Sequence, residues 1–517
     1  MKLNIKNIIM GGAIALAIGL TSCVDDLNVE PINPQVSQEF DQQAVFTKIY
    51  ASLGMTGMTG TAGGGDLDAM GIDEGQSGFY RTLWYLNNLA GDEALCVWGD
   101  NGVPEANYTG WSDTDVFVQG LYYRLYFGVT LCNHFLDMTG DATDEETLLQ
   151  RAEARFIRAL NYYYLMDMYA NVPLVTKVES ELPQQAKRAD IFAFLEQELL
   201  EMQNDMSEPG AGLYYRVDRA AAWTLLARLY LNAEVYTGNA RWADAATYAE
   251  KVINSNYKLA ESYPALFMGD NGENADAMQE IILPIAQHGN YTKTYSGSYF
   301  LIAATHTAGM PEWGTIDGWG GIPARKSLVD KFQNGNDDRA MFHKTNEDGT
   351  LSDPNAFTSG WGVTKWNNLS AKDSDLANGI LVPVASNDPE VKVPETDIPF
   401  LRAAEAYLTY AEAKFRLGED GEAIAKFNAL RTRANAQTVS NLTLDLLRDE
   451  WSREFYFEGR RRIDLVRFNS FGGNTDYNWD WKGGVAGGTA FDAKYNILPL
   501  PVSDMNANDN LTQNPGY

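Results

Sequence analysis

The sequence predicts a mostly α fold, built of tetratricopeptide-like helical hairpins that carry a loop-rich face with short strands. The first observation behind this is a helical pattern that occurs three times: a large apolar residue, a small or aliphatic one three positions on, and an aromatic seven positions on. The copies are Phe156/Ala159/Tyr163, Trp223/Leu226/Tyr230 and Leu408/Ala411/Phe415. The middle one approximates the first-helix signature of a tetratricopeptide repeat, with Ala227 where glycine is usual. The second observation is contrast. Residues 54–113 and 287–380 are rich in Gly, Asn, Asp, Trp and Tyr and lack helical periodicity, which predicts loops and short strands. The third is composition: 45% hydrophobic and 12% aromatic residues over 517 positions suffice for a large core.

Each element follows in chain order. Lys2 and Lys6 precede an apolar run over residues 8–20, which ends in Leu20-Thr21-Ser22-Cys23. The run is too short to span a bilayer. With small residues before a cysteine, it predicts a lipoprotein signal peptide over 1–22 and a lipidated Cys23. Residues 23–40 are polar and proline-punctuated, as expected of a tether, and 41–517 form the body. Within the body, Ala245/Ala249 and Ala423/Phe427 supply the small and apolar contacts that a second, antiparallel helix needs. The three copies start 67 and then 185 residues apart, so the hairpins are separated by long insertions, where function is expected to sit. Residues 448–467 read as one charged helix whose Arg453, Glu454, Glu458, Arg460, Arg461, Arg462 and Asp464 pair along its length.

The formal charge is −29, and removing residues 1–22 takes away two lysines and no acids. Such acidity argues against nucleic acid and against docking on anionic lipid, leaving acyl chains as the membrane attachment. No catalytic constellation stands out. His134, His288, His306 and His343 are scattered, and the glycines at 63–65, 71, 75 and 78 lack phosphate-loop spacing and read as mobile loop. Beyond Cys23 only Cys96 and Cys132 remain, as two thiols or one bridge. Acidic residues at 270–273 lack EF-hand spacing, so neither metal nor cofactor is expected. The loops instead carry rings beside hydrogen-bonding groups: Arg81, Trp84, Trp98, Asn101, Trp111, Tyr291, Tyr295, Tyr299, Trp313 and Trp319. That mixture suits sugars, whose C–H faces lie on rings and whose hydroxyl rims need donors and acceptors. For any single ring, anchoring a loop to the core is the better reading; only the grouping points to a ligand.

Several stretches resemble the SusD/RagB family of outer-membrane lipoproteins, glycan-binding partners of TonB-dependent transporters. They are the SCVDDL start, RAEARFIRALNYYYLMDMYANVPLV from Arg151, DRAAAWTLLARLYLNA from Asp218, LRAAEAYLTYAEAKFRLG from Leu401, EWSREFYFEGRRRIDLVRF from Glu450 and the terminal QNPGY. DEGQSGFYRT from Asp73, GDEALCVW from Gly91 and WDWKGG from Trp479 look like starch-binding members in particular. The resemblance implies a single SusD-like domain, with an N-terminal part over 41–330 and a C-terminal part over about 270–517. It also implies a non-catalytic protein on the outer membrane, lipid-anchored and facing the cell exterior, that passes α-glucan to a SusC-like transporter. By position it makes Trp98, Tyr295 and Trp319 the stacking platform, and Asp73, Arg81 and Asn101 the groups that bond sugar hydroxyls. Where it implies a further stacking tryptophan, this sequence has Cys96. Dextran or another glucan is the alternative ligand, and a surface glycoside hydrolase the alternative class.

Overall fold

Helix formation starts from caps. The computed structural model describes residues 40–57, 65–67, 71–332, 335–345, 349–357 and 359–517, so the expected signal peptide, the expected lipidation at Cys23 and the expected tether as far as residue 39 lie outside the described residues. Asp115 accepts hydrogen bonds from the Phe117 and Val118 amides and opens α1 (Val116–Met138). Asp144, followed by Glu145 and Glu146 in the first turn, opens α2 (Glu145–Tyr169) in the same way. After α3 (Arg188–Met202), Asp218 caps α4 (Arg219–Leu231) through the Ala220 and Ala221 amides. Then come α5 (Trp242–Ile253), α6 (Gly297–Thr305), α7 (Ala403–Arg416) and α8 (Asp420–Arg433). Among the described residues no helix is long and apolar enough to cross a membrane.

The hairpins do not stay separate. α1 packs on α2, α2 on α3, α3 on α4 and α4 on α5; α5 then packs on α7, and α7 on α8. The long insertion between α5 and α7 is therefore looped out of a continuous helical stack. Two antiparallel strands close its neck: β1 (Ile281–Ile285) pairs with β2 (Ile398–Arg402), with Ile285 opposite Ile398. All five β1 residues are buried, as befits a strand covered on both faces. Residues Ala44–Tyr517 form one compact unit.

Three expectations are corrected. The stretches read as loops and short strands also contain helix, notably Phe79–Trp84 and α6. Every residue of α6 is buried, so it has no polar face to print a period on the sequence. The charged segment 448–467 is two helices, α9 (Leu444–Phe455) and α10 (Arg461–Arg467), broken where Phe457 and Gly459 take φ of 61° and 78°. Its charges mostly reach away from the segment: Glu454 receives Arg339 at 3.0 Å and Arg402 at 2.6 Å, Arg461 meets Asp92 at 2.6 Å, and Arg462 meets Asp167. Arg460–Asp464 alone of the seven makes the predicted pair within that set, at 3.0 Å. Finally, Gly75 and Gly78 are buried close-approach points, not mobile loop. A Cβ on Gly75 would lie 2.6 Å from the Tyr295 Cβ, and one on Gly78 would lie 2.2 Å from the Ser296 hydroxyl. Cys96 and Cys132 are both buried free thiols.

Candidate functional site

A short antiparallel ladder brings the first two rings together. The Leu95 amide donates to the Pro323 carbonyl at 3.2 Å and the Val97 amide to Gly321 at 2.8 Å, which sets Trp98 beside the loop carrying Trp319. The Trp98 indole N–H donates to the Gly320 carbonyl at 3.2 Å. Gly321, at φ 96°, leaves room for that indole, because a Cβ there would stand 2.1 Å from its nitrogen. Trp319 is pinned from below by its own amide, which donates to the Ala303 carbonyl of α6 at 2.7 Å. The Trp98 and Trp319 centroids are then 6.2 Å apart, with the rings tilted by 58°.

Tyr295 lies two residues before the start of α6. Its carbonyl accepts from Arg81 at 2.8 Å and its amide donates to Glu74 at 3.1 Å. Glu74, buried, also accepts from the hydroxyls of Thr56 and Thr294. So clamped, the Tyr295 ring lies 5.9 Å from Trp319 at 62°. Trp98, Trp319 and Tyr295 therefore form a bent row, each partly exposed and backed by buried residues.

Arg81 lies beneath this row. It is buried, spends Nε and Nη2 on the Tyr85 hydroxyl at 3.1 and 2.9 Å, and rests on Phe300 at 4.6 Å and Trp98 at 5.7 Å. Of its five N–H groups two remain uncommitted. Asp73 is exposed, and one carboxylate oxygen accepts from the Gly75 amide at 3.1 Å, which places it beside Tyr295. Asn101 is exposed in the turn three residues beyond Trp98 and is tied to the group only by that proximity.

Of the five other rings in the candidate set, Tyr299 lies buried behind the row, against Tyr295 and Trp319, and four stand apart from it. Trp84 and Trp111 are core residues, whose indoles donate to the Phe457 carbonyl and the Tyr517 hydroxyl. Tyr291 is exposed but stacks on His288, and Trp313 lies against the buried His306. Burial holds the His306 imidazole at about 4, neutral at ordinary pH. Cys96 is also buried. Its backbone exchanges two hydrogen bonds with the Asn107 amide group, at 2.9 and 2.6 Å, and burial pushes its thiol up to about 12.

Comparison with known proteins matches residues 345–517 to the SusD family and residues 28–231 to a family described as starch-binding associating with outer membrane. The chain is 42% identical to the starch-binding protein SusD of Bacteroides thetaiotaomicron, over 99% of both chains. It is 24% identical to a SusD-like protein P2 of Formosa agariphila, over 98% of each. The chain belongs to the SusD family. Solved structures share the fold at lower identity. A surface glycan-binding protein A from Bacteroides fluxus superposes with a TM-score of 0.70 at 19% identity, covering 92% of this chain and 99% of that one. A laminarin-binding SusD-like protein gives 0.68 at 21%, covering 93% and 100%. Within this SusD-family chain, the residues that sequence reasoning missed are the supports. Glu74 and Phe300 left no signal, because their partners lie far away in the chain, and Asp317, which accepts from the Tyr299 hydroxyl behind the row, was one carboxylate among many.

Proposed function

We propose that the protein is a non-catalytic, surface-exposed, α-glucan-binding lipoprotein that delivers starch-like oligosaccharides to a TonB-dependent, SusC-like transporter. The observation that carries this is the bent row Trp98–Trp319–Tyr295, with successive tilts of 58° and 62°. A 1,4-linked α-glucan curves, so successive sugars offer their C–H faces at changing angles, and tilted rings match that course where coplanar rings would suit a flat chain. Asp73 and Asn101, both exposed, accept and donate at the hydroxyl rim, and Arg81 adds its two uncommitted N–H groups from below. Kinship with a starch-binding relative over the full length supports the same ligand class.

Three rings each covering about 50–80 Å² of sugar at about 25 cal/mol per Å² give roughly 4–6 kcal/mol before ordering costs. That corresponds to weak binding, about micromolar to millimolar, which suits handing a chain onward. Lipid on Cys23, with residues 23–40 as tether to a single SusD-like domain, holds the face at the outer membrane, where local concentration offsets modest affinity. Calorimetry with maltooligosaccharides on protein lacking residues 1–23 tests the reading. Binding heat that survives both Trp98→Ala and Trp319→Ala would sink it. A second reading, another glucan such as dextran, is favoured by Cys96 standing where a fourth ring is expected, and a glycan panel separates the two.

A further inference from the structure

We infer that Tyr299 and Asp317 form a positioning pair that fixes the angle between the Tyr295 and Trp319 rings, and so selects the curvature of the glycan that the face accepts. The inference rests on the glycan-binding reading above. Tyr299 is 2% exposed and cannot itself present a face to a ligand. Yet its ring touches both presented rings, Tyr295 at 5.6 Å and 42° and Trp319 at 5.1 Å and 44°. It is the wedge behind the bend. Its position comes from α6, the helix whose Ala303 carbonyl also pins the Trp319 amide one turn further on.

Packing alone would need only a phenylalanine. The hydroxyl adds a bond to the Asp317 carboxylate, two residues before Trp319, and so ties the helix side of the bend to the loop side. Asp317 is held in turn, because its carbonyl accepts from the Trp313 indole at 3.0 Å and from the Thr315 hydroxyl at 3.4 Å. The amides of Trp319, Gly320 and Ile322 hold the loop to the Ala303 and Ala304 carbonyls of α6, and the Tyr299–Asp317 bond adds a side-chain anchor before Trp319, which leaves the start of the loop little freedom to rock about Ala303.

The test compares Tyr299→Phe and Asp317→Asn with the wild type, using a cyclodextrin and a linear maltooligosaccharide with the same number of glucose units. A closed ring cannot follow a relaxed row, whereas a linear chain can. The cyclic-to-linear affinity ratio is expected to fall about threefold or more in each single variant and no further in the double variant. An equal loss for both ligands, as general destabilisation would give, or an unchanged ratio would overturn the pair. Near-UV circular dichroism of the unliganded protein keeps the inference separable from the glycan reading. Asp317→Asn should change the aromatic spectrum in the wild type and leave it nearly unchanged in a Trp319→Phe background; equal changes in both backgrounds would overturn the pair. If the wild type binds neither glucan but the spectra behave as stated, the ligand assignment fails while the positioning pair stands.

Discussion

The ring face and the charged interior around α9 are opposite solutions to the problem of placing a demanding side chain. On the face, Trp98, Trp319 and Tyr295 are left partly uncovered, and polar groups beneath them, Arg81 and Glu74, do the holding. In the interior, Glu280, Arg339, Arg402, Glu450 and Glu454 are wholly buried and hold one another, with Arg402 bridging Glu280 at 2.9 Å and Glu454 at 2.6 Å. The face spends exposed apolar area to gain a ligand. The interior bears desolvation to fix how the looped-out insertion meets the last helices. Its geometry is specific, because each charge lacks a solvent alternative. Substitutions on the face should therefore change affinity and hardly touch stability, and substitutions in the interior should do the reverse.

The largest expected effect tests the interior side. Glu454 faces three guanidinium groups, those of Arg339, Arg402 and Arg433. Burial opposes its charge, but these cations prevail and hold its carboxyl well below the usual range. Glu454→Gln leaves buried positive charge uncompensated and should cost about 3–5 kcal/mol of unfolding free energy by denaturant titration. The folded fraction should bind glycan as the wild type does. A tenfold affinity loss with unchanged stability would break the contrast.

Next comes a pH dependence of opposite sign. Glu93 is buried, and burial together with the neighbouring Asp92 pushes it up to about 7. In the unfolded chain it ionises near 4.3, so between that value and 7 the folded state binds the extra proton. Stability from this group is full below the unfolded value and is lost as pH rises through the folded one. Glu93→Gln should remove that slope, closing a gap of up to about 3 kcal/mol between unfolding free energies measured near pH 5 and pH 8. An equal slope in the variant would assign it elsewhere.

On the face, Trp319→Ala removes the ring that touches both neighbours. The expected loss is roughly 1–2 kcal/mol, about tenfold or more in dissociation constant by calorimetry. The midpoint of thermal unfolding should move little by comparison with Glu454→Gln.

The same contrast explains what could be read from sequence. Helices with one wet face, such as α5 and α8, carry their period in their residues, and the exposed rings stand out because aromatics in Gly-rich loops are unusual. α6 was invisible because it is buried all round. The break at Phe457 and Gly459 was invisible because the charges flanking it satisfy helical spacing as well as they satisfy distant partners. Supports were hardest of all. Glu74 meets Tyr295 across 221 residues of sequence, and Arg461 meets Asp92 across 369. No local pattern encodes such a pair. That α5 and α7 stack although the insertion separates them was hidden for the same reason.

The smallest expected effect locates the boundary between the two regions, which falls within three residues. Trp98 is part of the row, yet Cys96, two residues before it, is buried and its thiol is held at about 12 by that burial. If Cys96 belongs to the interior, Cys96→Ala removes one small buried group and should cost about 1 kcal/mol of stability. Glycan affinity should stay within about twofold. A thiol reagent at pH 8 should modify the folded protein lacking residues 1–23 only as fast as the chain opens, since Cys96 and Cys132 are both buried and protonated. Rapid modification of Cys96 that also abolished binding would put the thiol on the face. The row would then run through position 96, and the row's missing ring would be an occupied subsite of different chemistry instead of a gap filled from the core.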